Sequence, residues 1–436
     1  MKRTLFCLAI LVVGSLALIS CGSSSSGSTT TGSRPSKLAS RAFVSNPLNP
    51  SGVAGSYSPV LNIVNASAGT SLTDTLSLST VSLTSGPGLM VLSPSGLLTL
   101  VFSPDNNSIT VIDNDKEAVL QNGSSAVQAL TLPGPTQSML AGHDNITGFA
   151  AVPTATVNGD PPTPGAVIAF GLYQGSIAAT IPVPGARTIV PSHNGNRILT
   201  FGDNSSTVTI ITPSSINTSM DPRTPVCCFD HPVWGIFSAD DTTAYIFDCG
   251  PECGGTTAGV TVLNMLTNSI GATLPLPGAT YGILSGGTLY VAGTPPGTAC
   301  GAGTAATTCG TLSLVDVGAM TASAPIIITD GYHDRMDISS NGQLFVGART
   351  CTNVTTSSET RGCLAIFNTT TPGVVFPPDN GDVTGLQAIP SRNVLYVCEG
   401  GNFRIYDTTT NKLLIPPNGQ AMIDIIGQSV DVTFVN

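Results

Sequence analysis

The chain has 436 residues, of which only 9% are charged, with 48 Gly and 32 Pro and a formal net charge of −10 at pH 7. An acidic balance with no basic cluster excludes nucleic acid as a partner, because phosphate binding needs gathered Lys and Arg. So much Gly and Pro favours turns over helices, and the length allows two domains or one long all-β domain.

The first segment is an address. Lys2 and Arg3 precede an apolar run from Leu5 to Val13, and small residues lead to Cys21. That is a charged n-region, an h-region and a cleavage zone, too short to span a bilayer in the mature protein. The tetrad Leu18-Ile19-Ser20-Cys21 resembles the lipobox of bacterial lipoproteins, which implies cleavage after residue 20 and lipidation of Cys21. Several acyl chains anchor stably where one does not. In that family Asp after the Cys directs retention in the inner membrane. Gly22 stands there, so the resemblance implies an extracytoplasmic protein anchored at the bacterial outer membrane or cell surface. Without the signal, 25 acidic residues face 15 − 2 = 13 basic ones, a net charge of about −12.

Residues 22–33, GSSSSGSTTTGS, hold no apolar side chain, so nothing offsets the entropy of ordering them. Residues 21–40 are therefore the lipidated Cys and a Ser/Gly-rich linker, and 41–436 the folded domain. Past residue 21 no apolar stretch reaches membrane-spanning length.

Two strand-like runs then alternate eight times. The first is RAFVSN (41–46), LTLVFS (98–103), TGFAAV (147–152), RILTFG (197–202), TAYIFD (243–248), TLYVAG (288–293), QLFVGA (343–348) and VLYVCE (394–399). The second is VLNIVN (60–65), SITVID (108–113), AVIAFG (166–171), TVTIIT (207–212), GVTVLN (259–264), TLSLVD (311–316), CLAIFN (363–368) and NFRIYD (402–407). Their β-branched and aromatic residues, bounded by Gly, Pro, Asn or Asp, read as strands, and the spacing is that of propeller blades. Turn segments LSPSG, PSHNG, FSADD, ISSNG and IPSRN precede members of the first set. The order of turn, first run and second run resembles the YVTN family of β-propellers, with its SPDG, YVTN and VSVID signatures. The resemblance covers residues 41–436 and implies a single propeller of four-stranded antiparallel blades.

Lettering the strands a to d from the axis outward, the two sets are b and c. Strands a are read at GLMVLS, TIVPS, VWGIFS, YGILS, RMDIS and LQAIP, and strands d at SIAATIPV, SIGATLPL and APIIIT. RAFVSN has no a strand before it and the terminal QSVDVTFVN no b strand after it. Pairing the two closes the ring and satisfies both edges. Eight blades result, with seven as the alternative and a pair of β-sandwiches as the competing architecture.

The b–c and d–a connections then share one face, the top. Gaps between b and c runs vary from 2 to 17 residues, so insertion concentrates there, and eight cysteines follow it. In an exported chain the expected disulfides are Cys300 with Cys309 and Cys351 with Cys363. Cys227 and Cys228, placed in a d–a connection, are expected to cross-link to Cys249 and Cys253 in an order left open, since direct vicinal or short-range bonds imply strain. Cys398, within a strand, reads as a buried small hydrophobe. A zinc site from these four thiols and His231 is disfavoured by spacing and compartment, so no metal and no cofactor is assigned.

His143 and His193 fall on the bottom face. His231 and His333 are placed in d–a connections at the channel mouth, beside Asp230 and Trp234 and beside Tyr332, Asp334, Arg335 and Asp337. Asp230, His231, Trp234, Tyr332, His333, Asp334 and Arg335 are the candidate ligand-binding residues. No nucleophile elbow, phosphate loop, zinc-protease pair or haem motif occurs, so no catalytic residue is named. The expected function is a membrane-anchored binding module presenting a disulfide-braced top face to a glycan, cell-wall component or protein. The alternative is a lactonase or hydrolase of the propeller type, which requires Asp230, His231, His333 and Asp334 to converge.

Overall fold

The computed structural model describes residues 34–66, 77–157, 163–300, 309–352, 354–355, 360–378, 381–414 and 425–435. The signal segment, Cys21 and the linker up to residue 33 lie outside the described residues.

Among the described residues eight antiparallel sheets form the blades, six of four strands and two of five, beside two small two-stranded sheets in the connections. Blade 1 is assembled from both ends, with Val432–Val435 as strand a, Arg41–Asn46 as b, Val60–Asn65 as c and Ser77–Ser82 as d. Blades 2 to 8 follow in sequence, with b strands Leu98–Ser103, Thr147–Val152, Ile198–Gly202, Thr243–Asp248, Thr288–Gly293, Gln343–Arg349 and Val394–Glu399. In blades 2 and 6 the outermost strand is split into two short pieces that pair with the same c strand. The eight innermost strands touch one another in an unbroken cycle. The architecture is thus the expected eight-bladed propeller.

Burial explains why the b and c runs were so visible. Arg41–Asn46 is buried at every position, because each sheet is covered on both faces by its neighbours, and such strands read as continuous apolar runs. The outermost Ser269–Pro275 is almost wholly exposed, with no blade covering it. The apolar interior is not one core but eight clusters, each filling the gap between two adjacent blades.

The repeated a–b turn has a physical cause. Ser93, Ser238 and Ser339 each accept, on the side-chain oxygen, the first N–H of the following b strand, and Ser192 accepts the N–H of Arg197 just before it. The hydroxyls of Ser192, Ser238 and Ser339 donate to the side chain two residues on, Asn194, Asp240 and Asn341. The residue closing the turn has positive φ, which favours Gly, as at Gly96, Gly195 and Gly342.

The a strands differ from the reading of the sequence. Those of blades 4, 5, 7 and 8 begin earlier, at Ala186, Pro232, Tyr332 and Val383, so Tyr332, His333 and Asp334 join Trp234 and Arg335 as strand residues and do not lie in a loop. Cys227 likewise ends a d strand, Arg223–Cys227. The cause is a register shift near the start of four a strands, between Ala186 and Thr188, Pro232 and Trp234, His333 and Arg335, and Val383 and Gly385. The unpaired residues interrupt the alternation on which strand recognition depends.

At the bottom face, Arg41 is fully buried at the start of strand b of blade 1, with its Nε 3.3 Å from Glu117 of blade 2. Glu117 also accepts from the Ser36 N–H and hydroxyl, and Arg34 pairs with Asp115 at 3.0 Å. The segment leading in from the linker is therefore fastened to the bottom. Breaking a buried pair leaves an uncompensated charge. Glu117→Ala is expected to cost about 3–5 kcal/mol, and the Arg41→Met/Glu117→Gln pair much less. Denaturant melts of the three proteins check this, and equal losses would contradict it.

Candidate functional site at the mouth of the central channel

The ring encloses a channel of about 1130 Å³ running from the top rim to the a–b turns. The bulged residues Arg187, Val233, Asp334 and Thr384 all line it, since a bulge re-aims the side chain it frees. Strand a of blades 5, 6 and 7 contributes Trp234, Tyr281 and the pair Asp334 and Arg335 in turn. Trp234 and Tyr281 lie with ring centroids 4.5 Å apart. Asp334 receives Arg349 Nε at 2.8 Å and Arg335 Nη1 at 3.5 Å on one oxygen. Arg335 is held further by the Thr384 carbonyl at 3.2 Å. Across the channel Arg187 clasps Asp203 with two nitrogens, one of them at 2.6 Å, and reaches Gln137 at 3.0 Å.

Of the seven candidate residues, His231, Trp234, Tyr332, Asp334 and Arg335 line this channel. Asp230 and His333 are turned away. Asp230 accepts from the N–H groups of Thr256 and Thr257 and the Thr256 hydroxyl, at 2.5 to 3.1 Å. Slight burial opposes ionisation, but those bonds and His231 hold its carboxyl down at about 2. Its 3.3 Å contact with His231 Nδ1 is possible because Gly255 leaves the space. His333 is completely buried, with Nδ1 3.5 Å from the Thr294 hydroxyl. Burial drives its pKa down to about 4, against the Thr329 carbonyl and Asp330, so the ring is neutral at pH 7. Of the four residues the hydrolase reading requires, His231 and Asp334 face the channel and Asp230 and His333 do not. A histidine inside a bulged a strand looks, in sequence, like one in the preceding loop. Asp337 is also structural, accepting the Ala388 N–H at 2.6 Å.

Sequence reasoning missed Arg187, Asp203, Arg349, Tyr281 and Asp431, which come together only through ring geometry. Asp431, at the entry to the closing strand, accepts from the Met90 N–H at 2.8 Å and the Val432 N–H at 2.9 Å. Burial raises its carboxyl to about 6, against Arg335, these hydrogen bonds and Arg349. Glu252 reaches from blade 5 to the Thr294 N–H of blade 6 at 2.7 Å, and burial raises it to about 7.

Three disulfides stand in the b–c loops of blades 5, 6 and 7: Cys249–Cys253, Cys300–Cys309 and Cys351–Cys363. The last two are the pairs drawn from sequence. The expected cross-link from Cys227 and Cys228 to Cys249 and Cys253 is corrected. A 3-10 turn, Gly250–Cys253, flanked by left-handed Gly254, brings the Cα atoms of Cys249 and Cys253 to 5.6 Å, within the ordinary disulfide range. Cys227 and Cys228 are free and exposed, and Cys398 is free and buried.

No known family profile and no curated protein matches the sequence. Among solved structures the chain is similar to the dihydro-heme d1 dehydrogenase NirN, at 12% identity and a TM-score of 0.61, covering 90% of this chain and 74% of that one. It is similar to the hydrazine synthase of Kuenenia stuttgartiensis, at 12% identity and 0.55, covering 74% and 96%. A functionally unknown protein of Desulfotomaculum acetoxidans matches at 10% identity and 0.50, covering 91% and 99%. At these identities the likeness shows the fold alone. The class defined is a disulfide-bearing eight-bladed β-propeller with an open, charge-lined channel.

The raised carboxyls make a signed pH prediction. A carboxyl whose folded pKa lies above its unfolded value stabilises below the unfolded value and loses that contribution as pH rises through the folded one. Glu252 and Asp431 therefore favour the folded state at about pH 5 over about pH 8. His333, depressed, pulls the other way, so the informative quantity is the difference from a variant. Glu252→Gln/Asp431→Asn is expected to gain melting temperature relative to wild type as pH rises across this window. A difference independent of pH would refute the assignment.

Proposed function

We propose that this is a lipid-anchored, extracytoplasmic propeller lipoprotein of YVTN type that binds a glycan, cell-wall component or protein at its top face. One observation carries the reading. The three disulfides fall on blades 5, 6 and 7, the same consecutive blades that furnish His231, Trp234, Tyr281, Tyr332, Asp334, Arg335 and Arg349 to the channel mouth. Cross-links over these loops limit the entropy lost when a partner orders them. Aromatic walls with a few fixed polar groups are the usual make-up of a ligand site.

Polarity of attachment supports it. Residues 34–41 are fastened to the c–d turn of blade 2, on the bottom. The chain thus enters the propeller on the face opposite the braced loops. The lipobox-like tetrad and Gly22 favour the outer membrane or cell surface.

Trp234 is the only tryptophan of the chain, so its fluorescence reports on the channel wall. In a screen of cell-wall fragments and glycans, a true ligand is expected to shift that emission saturably. Its affinity should fall at least tenfold once the loop disulfides are reduced and alkylated. Binding that leaves the emission unchanged and ignores reduction would place recognition elsewhere.

A further inference from the structure

Cys227 and Cys228 are left over when the loop disulfides are drawn. Both are exposed, and their sulfurs lie 2.8 Å apart. We propose that they form a reversible vicinal dithiol–disulfide couple on the channel-mouth face, exchanging with external disulfides of the glutathione kind.

The backbone is already set for this. Cys227 is paired with Thr207 in the d-strand ladder. The N–H groups of Cys228 and Phe229 both donate to the Ser206 carbonyl at 3.0 Å, in the b–c turn of the same blade. Cys228 is thereby held at φ +87°, a left-handed conformation uncommon for a residue with a side chain. The ladder and the turn fix both residues, so the sulfurs meet without rearrangement, and bonding needs them to close by about 0.8 Å. Among the described residues no other cysteine takes part, since the six in the loops pair among themselves and Cys398 is sealed within blade 8.

Adjacent Cα atoms stand about 3.8 Å apart, below the range ordinary disulfides prefer. The eight-membered ring is therefore strained, and exposed, strained disulfides are the readily reduced ones. The Cys249–Cys253, Cys300–Cys309 and Cys351–Cys363 bonds have ordinary Cα separations of 5.2 to 5.6 Å and should outlast it.

The exchange balances without another oxidant. Cys227, as thiolate, attacks one sulfur of an external disulfide, giving a mixed disulfide and releasing one thiolate, which takes up the proton Cys227 lost. Cys228 then gives up its proton and attacks the Cys227 sulfur, closing the ring and expelling the second external thiol. Two protein thiols are oxidised and one external disulfide is reduced to two thiols. The hydrogen bond the Cys228 thiol makes to the Cys227 sulfur and the cost of two adjacent thiolates raise the Cys228 thiol, which suits it to the resolving role.

The test equilibrates the full-length protein with glutathione at graded reduced-to-oxidised ratios, traps thiols by alkylation without denaturant, and maps the products by tandem mass spectrometry. The Cys227–Cys228 peptide is expected to pass from two alkyl groups to none, with loss of two hydrogens, at ratios where the other three disulfides stay closed. Phenylarsine oxide, which needs two neighbouring thiols, should bind the reduced protein one to one. Cys228→Ser should melt like wild type, lose arsenical binding, and accumulate a glutathione mixed disulfide at Cys227. The proposal is overturned if both thiols are alkylated at the most oxidising ratio, if wild type stops at the mixed disulfide, or if either cysteine is cross-linked elsewhere.

Discussion

The pairing of Arg41–Val44 with Val432–Val435 is the constraint on which the rest of the molecule depends. Seven blades arise from consecutive segments, but blade 1 exists only because residues almost 400 positions apart share a ladder. The junction is fixed in several ways at once. Ser45 and Asp431 exchange backbone and side-chain hydrogen bonds, and Asn46 binds the Ile426 carbonyl and the Gln428 N–H. Val432 and Val435 are buried against blades 8 and 2, each contributing roughly 1.5–3 kcal/mol. Asp431 carries the closure to blade 2 through Met90, and Gln387 ties blade 8 to the Phe434 N–H at 3.0 Å.

That junction also creates the site. An a strand in this ring has one edge paired to its b strand and the other facing the axis. Side chains can therefore reach the next a strand's backbone, as Ser138 does to Ile189 and Asp337 to Ala388. Bulges near the top of four a strands turn other side chains into the channel. The channel mouth thus inherits its geometry from closure, and its charges are balanced locally: Arg187 with Asp203, and Arg335 and Arg349 with Asp334 and the nearby Asp431.

The sequence disclosed the parts of the fold that repeat. The b and c strands were legible almost to the residue, because burial on both faces makes them apolar throughout, and the a–b turns were legible because a Ser and a positive φ recur in them. The a strands of blades 4, 5, 7 and 8 were read too short, since their bulges break the alternating pattern. This error moved His333 from a sealed strand interior to an imagined loop, and with it the idea of two cooperating histidines. Arg187, Asp203, Arg349 and Asp431 carry no local signature and meet only across the ring. The cysteine pairing failed at one point for a related reason: Gly250 and Gly254 permit a turn tight enough to join Cys249 to Cys253, and spacing alone does not reveal it.

Amide hydrogen exchange resolved along the chain tests closure most directly. The amides of Arg41–Asn46 and Val432–Val435 should exchange as slowly as those of the central strands in blades 3 to 5, in one cooperative class. Rapid exchange of Val432–Val435, with the other blades still protected, would mean that the ring is open and that the channel mouth described here does not exist.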